Sequence, residues 1–247
     1  MFSETRLRRI QDFTASDPVV SLYLNTEPSK GNAETHRLRL RNMLKSLYLE
    51  QDVEKITQFF EQEYDWSGRS VAVFSCAPAG FFEYIPLAIP VKDFIQVGSR
   101  SMLDPLFDQM EDYNNIGVAL VDQQGARFLN FRMGELVDQE GLLGSPIKNF
   151  KSGAASSAHG LRGGSLDGAR HMKEKVDHNL RESIEFGEKF FMRHKVKKII
   201  IGGNEENAAR FKAGLDKSLQ SIVAGTVAVN IAANYTEIWN RILHLLK

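Results

Sequence analysis

Apolar residues gather first in Val19-Val20-Ser21-Leu22-Tyr23-Leu24-Asn25, a β-branched and aromatic run that ends in the turn cluster Glu27-Pro28-Ser29-Lys30-Gly31-Asn32. The run predicts a strand followed by a loop. From Ala33 the spacing changes. Leu40, Met43, Leu44 and Leu47 recur at helical period, with Arg37, Arg41 and Lys45 beside them at i, i+4, i+8. An amphipathic helix with a basic flank is expected over 33–49. A second helix is expected over 51–64, short strands over 69–75, 81–86 and 91–97, and a helix over 101–112.

At Asn114-Asn115 the pattern restarts. Residues 116–122 read as a strand, Gln123-Gln124-Gly125 as a turn, residues 126–131 as a hairpin partner and 135–139 as a third strand. From Ala169 the order is helix (169–193), strand (196–201), helix (205–219), strand (222–230) and helix (233–246). The fold class is therefore α/β (α+β), with a first α/β domain over 1–113 and a second over 114–247. Strands first and alternating elements afterwards predict, for the second, a mixed sheet flanked by helices.

Residues 142–168 have no convincing period, and structureless loops of this length inside a compact domain are usually functional or disordered. This stretch and the helix start that follows carry Lys148, Lys151, Arg162 and Arg170 against one acid, Asp167. Its distal part, His159-Gly160-Leu161-Arg162-Gly163-Gly164-Ser165, runs into the long helix. Glycines let backbone approach a ligand closely, and N–H groups at a helix start favour anions, so the loop suits phosphate or a reacting ester. A polar surface loop is the alternative.

Composition first argues against RNA and then, taken by segment, for it. The 247 residues are 43% hydrophobic and 25% charged, which suits a globular chain with a sizeable core, and the formal charge is zero. Yet residues 142–247 hold 17 Lys/Arg against 10 Asp/Glu, residues 50–141 hold 6 against 16, and residues 1–49 hold 8 against 5. A basic tail half and a weakly basic head are expected to face a polyanion, with the acidic middle turned away. Cys76 is the single cysteine, so no intrachain disulfide forms, and a reducing cytoplasm is the expected location. Neither export nor membrane insertion is expected, and no DNA partner is implied.

Other chemistry is less well supported. Ser75-Cys76-Ala77-Pro78 offers no base for a thiolate, so Cys76 reads as a core cysteine. His171, Lys175 and His178 share a helix face beside Glu174, Asp177 and Glu182, which reads as an ion-paired surface rather than a metal site. Gly202-Gly203-Asn204-Glu205-Glu206 reads as a strand-to-helix turn, since two acids in the first turn repel an anion. No cofactor and no metal are expected.

The order of these features resembles a known family. The strand at 116–122 with its hairpin, the loop His159-Gly160-x-Arg162-Gly163-Gly164, the helix with Ala169-Arg170 and Glu174-Lys175-x-x-His178-Asn179, and Ile199-Ile200-Ile201-Gly202-Gly203 are similar to the middle domain of archaeo-eukaryotic class-1 peptide-chain release factors. Ser21-Leu22-Tyr23-Leu24 leading into the arginine-rich helix resembles their N-terminal domain. Three departures point to the bacterial branch. Ser165 stands where the family's tip has Gln, the stop-codon-reading Asn-Ile-Lys-Ser element has no match in 30–37, and the GTPase-recruiting C-terminal domain is expected to be missing.

The resemblance implies an RNase H-like middle domain and a cytoplasmic, ribosome-associated factor acting in release, rescue or hibernation. Gly163, Gly164 and Ser165 are the implied tip at the peptidyl-transferase centre. Lys148, Lys151, Arg162, Arg170, Arg37, Arg41 and Lys45 are the implied RNA contacts. The implied partners are ribosomal RNA, peptidyl-tRNA and a translational GTPase. Three activities stand open: peptidyl-tRNA hydrolysis, non-catalytic occupancy of the centre, and a tRNA-end nuclease resting on Asp122 and Asp138.

Overall fold

The computed structural model describes residues 4–144 and 164–246. The chain forms two compact units, one of residues 1–114 with 133–135 and one of residues 115–132 with 136–247. Both are mixed α/β, each with a sheet covered by helices.

In the first unit the sheet order is β3 (Phe81–Leu87), β2 (Ser70–Cys76), β1 (Val19–Asn25), β4 (Phe94–Gly98), with antiparallel pairs throughout. β1 and β2 are interior strands buried along their whole length, which is why both read as nearly continuous apolar runs rather than alternating ones. Helices α2 (Ala33–Leu44) and α3 (Glu50–Gln62) cover one face, burying Leu40, Leu44, Ile56, Phe59 and Phe60 against Val20, Leu22, Leu24, Val71 and Val73. Helix α4 (Asp104–Tyr113) closes the unit.

Several boundaries differ from those expected. Helix α1 (Glu4–Asp12), where no element was expected, buries Leu7 and Ile10. The helix expected to run to residue 49 stops at Leu44. The Ser46 hydroxyl folds back onto the Met43 carbonyl at 2.9 Å, and Leu47 N–H returns to Leu44 O, an alternative to helical bonding that serine favours. β4 starts at Phe94, three residues late, because Asp93 is used elsewhere: it accepts from Asn25 N–H at 2.7 Å and from Arg39 at 2.6 Å.

In the second unit the sheet order is β7 (Glu135–Leu143), β6 (Gly125–Arg132), β5 (Ile116–Val121), β8 (Lys198–Gly203), β9 (Val223–Val227). β5 pairs antiparallel with β6 and parallel with β8, and a parallel neighbour requires a crossover. Helix α5 (Gly164–Arg193) provides it, docking Phe186, Phe190 and Phe191 on Phe128 of β6. The helix expected over 205–219 is two, α6 (Glu205–Gly214) and α7 (Lys217–Ser221). Asp216 caps the second by accepting from Ser218 N–H at 2.8 Å, which restarts the turn rather than continuing it. Helix α8 (Tyr235–Ile242) ends in a 3₁₀ turn, Leu243–Leu245. β7 runs to Leu143, so the expected third strand is longer and the following loop correspondingly shorter.

His36 gives the first unit a pH dependence. It is buried, accepts a hydrogen bond from Arg39 Nη2 at Nδ1 (2.7 Å) and lies parallel to the Trp66 ring. Burial first, and then the Arg39 charge, lower its pKa from 6.5. The folded chain therefore holds fewer protons than the unfolded one below that value, so stability is full above pH 6.5 and falls as the solution is acidified towards the folded pKa. Denaturant titrations between pH 7.5 and 5 should show the midpoint dropping on acidification, and His36→Gln should flatten that slope.

Candidate functional site

The loop before α5 is held at its root by a chain of hydrogen bonds that begins in the β5–β6 turn. Asp122 Oδ1 accepts from Gln124 N–H at 2.8 Å and Gly125 N–H at 2.9 Å, while Asp122 N–H donates to Gly125 O at 3.0 Å. This Asx-type turn fixes the direction of its own carbonyls. The Gln124 carbonyl accepts from Gly144 N–H at 2.7 Å, where β7 ends. The Gln123 carbonyl accepts from Asn179 Nδ2 at 3.1 Å, on α5. The strand that leads into the loop and the helix that leaves it are thus tied to one turn.

Two further facts define this clamp. A Cβ on Gly144 would lie 2.3 Å from Asn179 Oδ1, so the strand end and the helix meet only because residue 144 has no side chain. Asn179 is 1% exposed and is the first buried side chain along the described part of α5. Residues 164–178, the arm, are about 22 Å of helix at 1.5 Å per residue, and no side chain from 170 to 178 is fully buried. Its surface is charged: Arg170 Nε lies 3.3 Å from Glu174, His171 3.8 Å from Glu174, and His178 3.5 Å from Glu182. The Asp177–Arg210 pair ties the arm's base to α6.

Gly164 and Ser165 stand in the first turn of α5 rather than in a loop tip. A helix start leaves its first N–H groups without intrahelical acceptors, so the backbone there presents donors. Gly163, Arg162, Lys148 and Lys151 lie outside the described residues. Arg170 is at the surface of the arm, its side chain 80% exposed.

The arginine stripe of the first unit is partly engaged. Arg37 stacks its guanidinium 5.3 Å from the Trp66 ring, Arg41 lies 3.9 Å from Glu61, and Lys45, at the end of α2, donates to Asn42 at 3.2 Å. The most connected cation on that helix is Arg39, which the i, i+4 reading passed over. It bonds Asp93, the Asn25 carbonyl and His36, and so ties α2 to the end of β1.

The nuclease carboxylates are committed to other work. Asp122 braces its own turn, and Asp138, in the middle of β7 rather than near a strand end, lies 3.0 Å from His194. Among the described residues no group of three His, Cys, Asp or Glu is placed to hold a metal ion. Cys76 is fully buried with its Sγ 3.9 Å from the Asp17 carbonyl, a core position. Among the described residues no helix is long and apolar enough to cross a membrane.

The model of bacterial archaeo-eukaryotic release factor family 10 matches residues 102–244, more than half of the chain. The chain belongs to that family. As a family 10 protein it is a release-factor-like, translation-related factor. No curated protein sequence matches it. Among solved structures it is similar to an archaeal translation termination factor, aRF1, at 16% identity and TM-score 0.35, covering 95% of this chain and 70% of that one. It is also similar to a structure described as an archaeal protein, at 18% identity and TM-score 0.33, covering 92% of this chain and 65% of that one.

Of the clamp residues, Gln123 and Gln124 read from the sequence only as a turn and Asn179 only as part of the helix motif; none of them, nor Gly144, reads as an anchor of the loop. One signal existed: Asn179 falls on the stripe of α5 that includes Leu180, Ser183 and Gly187, a polar residue where the period calls for an apolar one. Asn179→Ala removes the donor to the Gln123 carbonyl, and since Gln123 is exposed the loss is that of an ordinary hydrogen bond, about 0.5–1.5 kcal/mol. Thermal melts should register that loss, and hydrogen exchange at Gly144 should quicken while β8 keeps its protection. Gly144→Ala, which forces the same contact apart, should reproduce the exchange pattern.

Proposed function

We propose that this family 10 protein is a ribosome-associated factor that presents residues 163–165, at the end of the α5 arm, to the peptidyl-transferase centre. The observation that carries the reading is the family match over residues 102–244, the segment that contains both the clamp and the arm. Peptidyl-tRNA in that centre is an ester in a narrow site walled by RNA phosphates. A glycine-bearing segment that carries Lys148, Lys151 and Arg162 and leads into a long helix has the sign and shape to enter it.

The chemistry asked of the chain is small. Hydrolysis needs a water held against the ester carbonyl and donors aimed at the oxygen that becomes an anion. The unpaired backbone N–H groups of the first turn of α5 are suited to the second task. Ser165, standing where release factors have Gln, is too short to reproduce a side-chain amide, so donation from the backbone is the principal contribution. The same insertion without a positioned water blocks the centre, and the absent Gln favours that occupancy reading as the second one.

Arg170, Arg37 and Arg41 are the described candidates for phosphate contact. Arg170 and Arg41 are held at the surface by single carboxylates, and exposed ion pairs of this kind contribute only about 0–1 kcal/mol. A phosphate can replace the carboxylate at little cost. Lys148, Lys151 and Arg162 belong to the same proposal.

Cosedimentation with ribosomes tests the reading. Binding at low salt should weaken steeply as salt rises, as phosphate contacts require, and Arg170→Glu together with Arg41→Glu should lower it. A peptidyl-tRNA release assay on stalled ribosomes then separates the two activities. Turnover that falls about 10²-fold in Gly163→Ala identifies hydrolysis, and binding without turnover identifies occupancy. Failure to cosediment at low salt would contradict the ribosomal reading.

A further inference from the structure

The parallel strands of the second unit end in a separate cavity of about 220 Å³, lined by Val121, Asp122, Gly203, Asn204, Asn207, Val229, Asn230 and Ile231. We propose that this cavity is a binding site for one nucleobase carrying an exocyclic amine, adenine or cytosine. The proposal does not rest on the ribosomal reading.

The position is that of ligand sites in α/β sheets, beyond the carboxyl ends of neighbouring parallel strands. Backbone approach there is close: Gly203 has φ +140°, and a Cβ on it would lie 2.3 Å from the Val121 carbonyl. The decisive group is Asn207, which lines the cavity and is 6% exposed. Its backbone N–H is capped by Asn204 Oδ1 at 2.7 Å, but its side-chain amide has no hydrogen-bond partner among the described residues. The residue is buried, yet its amide faces the open cavity, where a ligand can pair with it.

The lining decides what the ligand is. Glu205 and Glu206 are exposed in the first turn of α6, so the helix start disfavours phosphate. A divalent cation needs several oxygens, yet Asn204 Oδ1, Asn230 Oδ1 and Asp122 Oδ1 already accept backbone N–H groups. Uncommitted are the Asn207 amide, the second Asp122 oxygen, and the NH₂ groups of Asn204 and Asn230. Val121, Val229 and Ile231 provide apolar walls for a planar ring. An amide offers an acceptor and a donor side by side and pairs with an amine beside a ring nitrogen, while the second Asp122 oxygen accepts the other amine hydrogen and would repel a carbonyl oxygen in its place, which sets the preference for the amine. The volume admits a single heterocycle rather than a whole nucleotide.

Titrating the full chain with adenosine, inosine, cytidine and uridine, by calorimetry or ligand-observed NMR, tests this. Adenosine or cytidine should bind at least about tenfold tighter than inosine or uridine, which match them in size but lack the amine. Asn207→Leu should weaken adenosine and cytidine binding about tenfold or more, and Asn230→Leu, on the exposed rim, serves as a second variant whose fold is not at risk. A four-nucleotide oligoadenylate binding tenfold or more tighter than adenosine identifies an unstacked base of RNA as the source. Equal affinities identify a free nucleoside. No binding of any nucleoside, equal binding of adenosine and inosine, or affinity unchanged in both variants overturns the proposal.

Discussion

A single Asx turn holds the working end of the second unit in place. Asp122 fixes the turn from inside, and the turn's Gln123 and Gln124 carbonyls then bind Asn179 of α5 and Gly144 at the end of β7. The sheet alone cannot do this, because β7 is an edge strand and no side chain from 170 to 178 is fully buried. The arm's base is therefore held by the hydrogen bonds of one turn and by the Asp177–Arg210 pair, whereas the fold of the unit rests on the phenylalanine cluster around Phe128.

Those two layers have different energetics. The aromatic core is a large apolar term that secures the unit and tolerates modest change elsewhere. The clamp is small in free energy but directional, and direction is what a long arm needs. The arm's charges fit the same picture: Arg170, His171 and His178 each face a carboxylate one turn along, which keeps a strongly charged helix compatible with its own length and leaves its cations exchangeable for phosphate. In the first unit the balance is reversed. Arg39 is drawn inward to Asp93 and Asn25, and it serves the junction of helix and sheet rather than the surface.

Much of the fold was legible because period and composition agreed. β1, β2 and β5 are interior strands and announced themselves as uninterrupted apolar runs, and α5 announced itself by length. Errors came where a short polar side chain overrode the period. Ser46 ended α2 early, Asp216 split α6 from α7, and Asp93 delayed β4. Helix α1 was missed because Leu7 and Ile10 are a short apolar signal among five charges. The site was legible only in outline. A glycine-bearing loop before a long helix was visible, but its anchorage was not, since Gln123 and Gln124 act through backbone carbonyls that no side chain advertises. Arg39 was overlooked because it sits one helical step off the stripe defined by Arg37, Arg41 and Lys45.

The central claim is that the clamp aims the α5 arm at the peptidyl-transferase centre. Electron cryomicroscopy of the full chain bound to ribosomes tests it most directly. The account predicts residues 163–165 against the aminoacylated end of the tRNA, the backbone N–H groups of the first turn of α5 facing the ester, and Arg170 on an RNA phosphate. A bound chain with that helix start pointing away from the large-subunit RNA would contradict it.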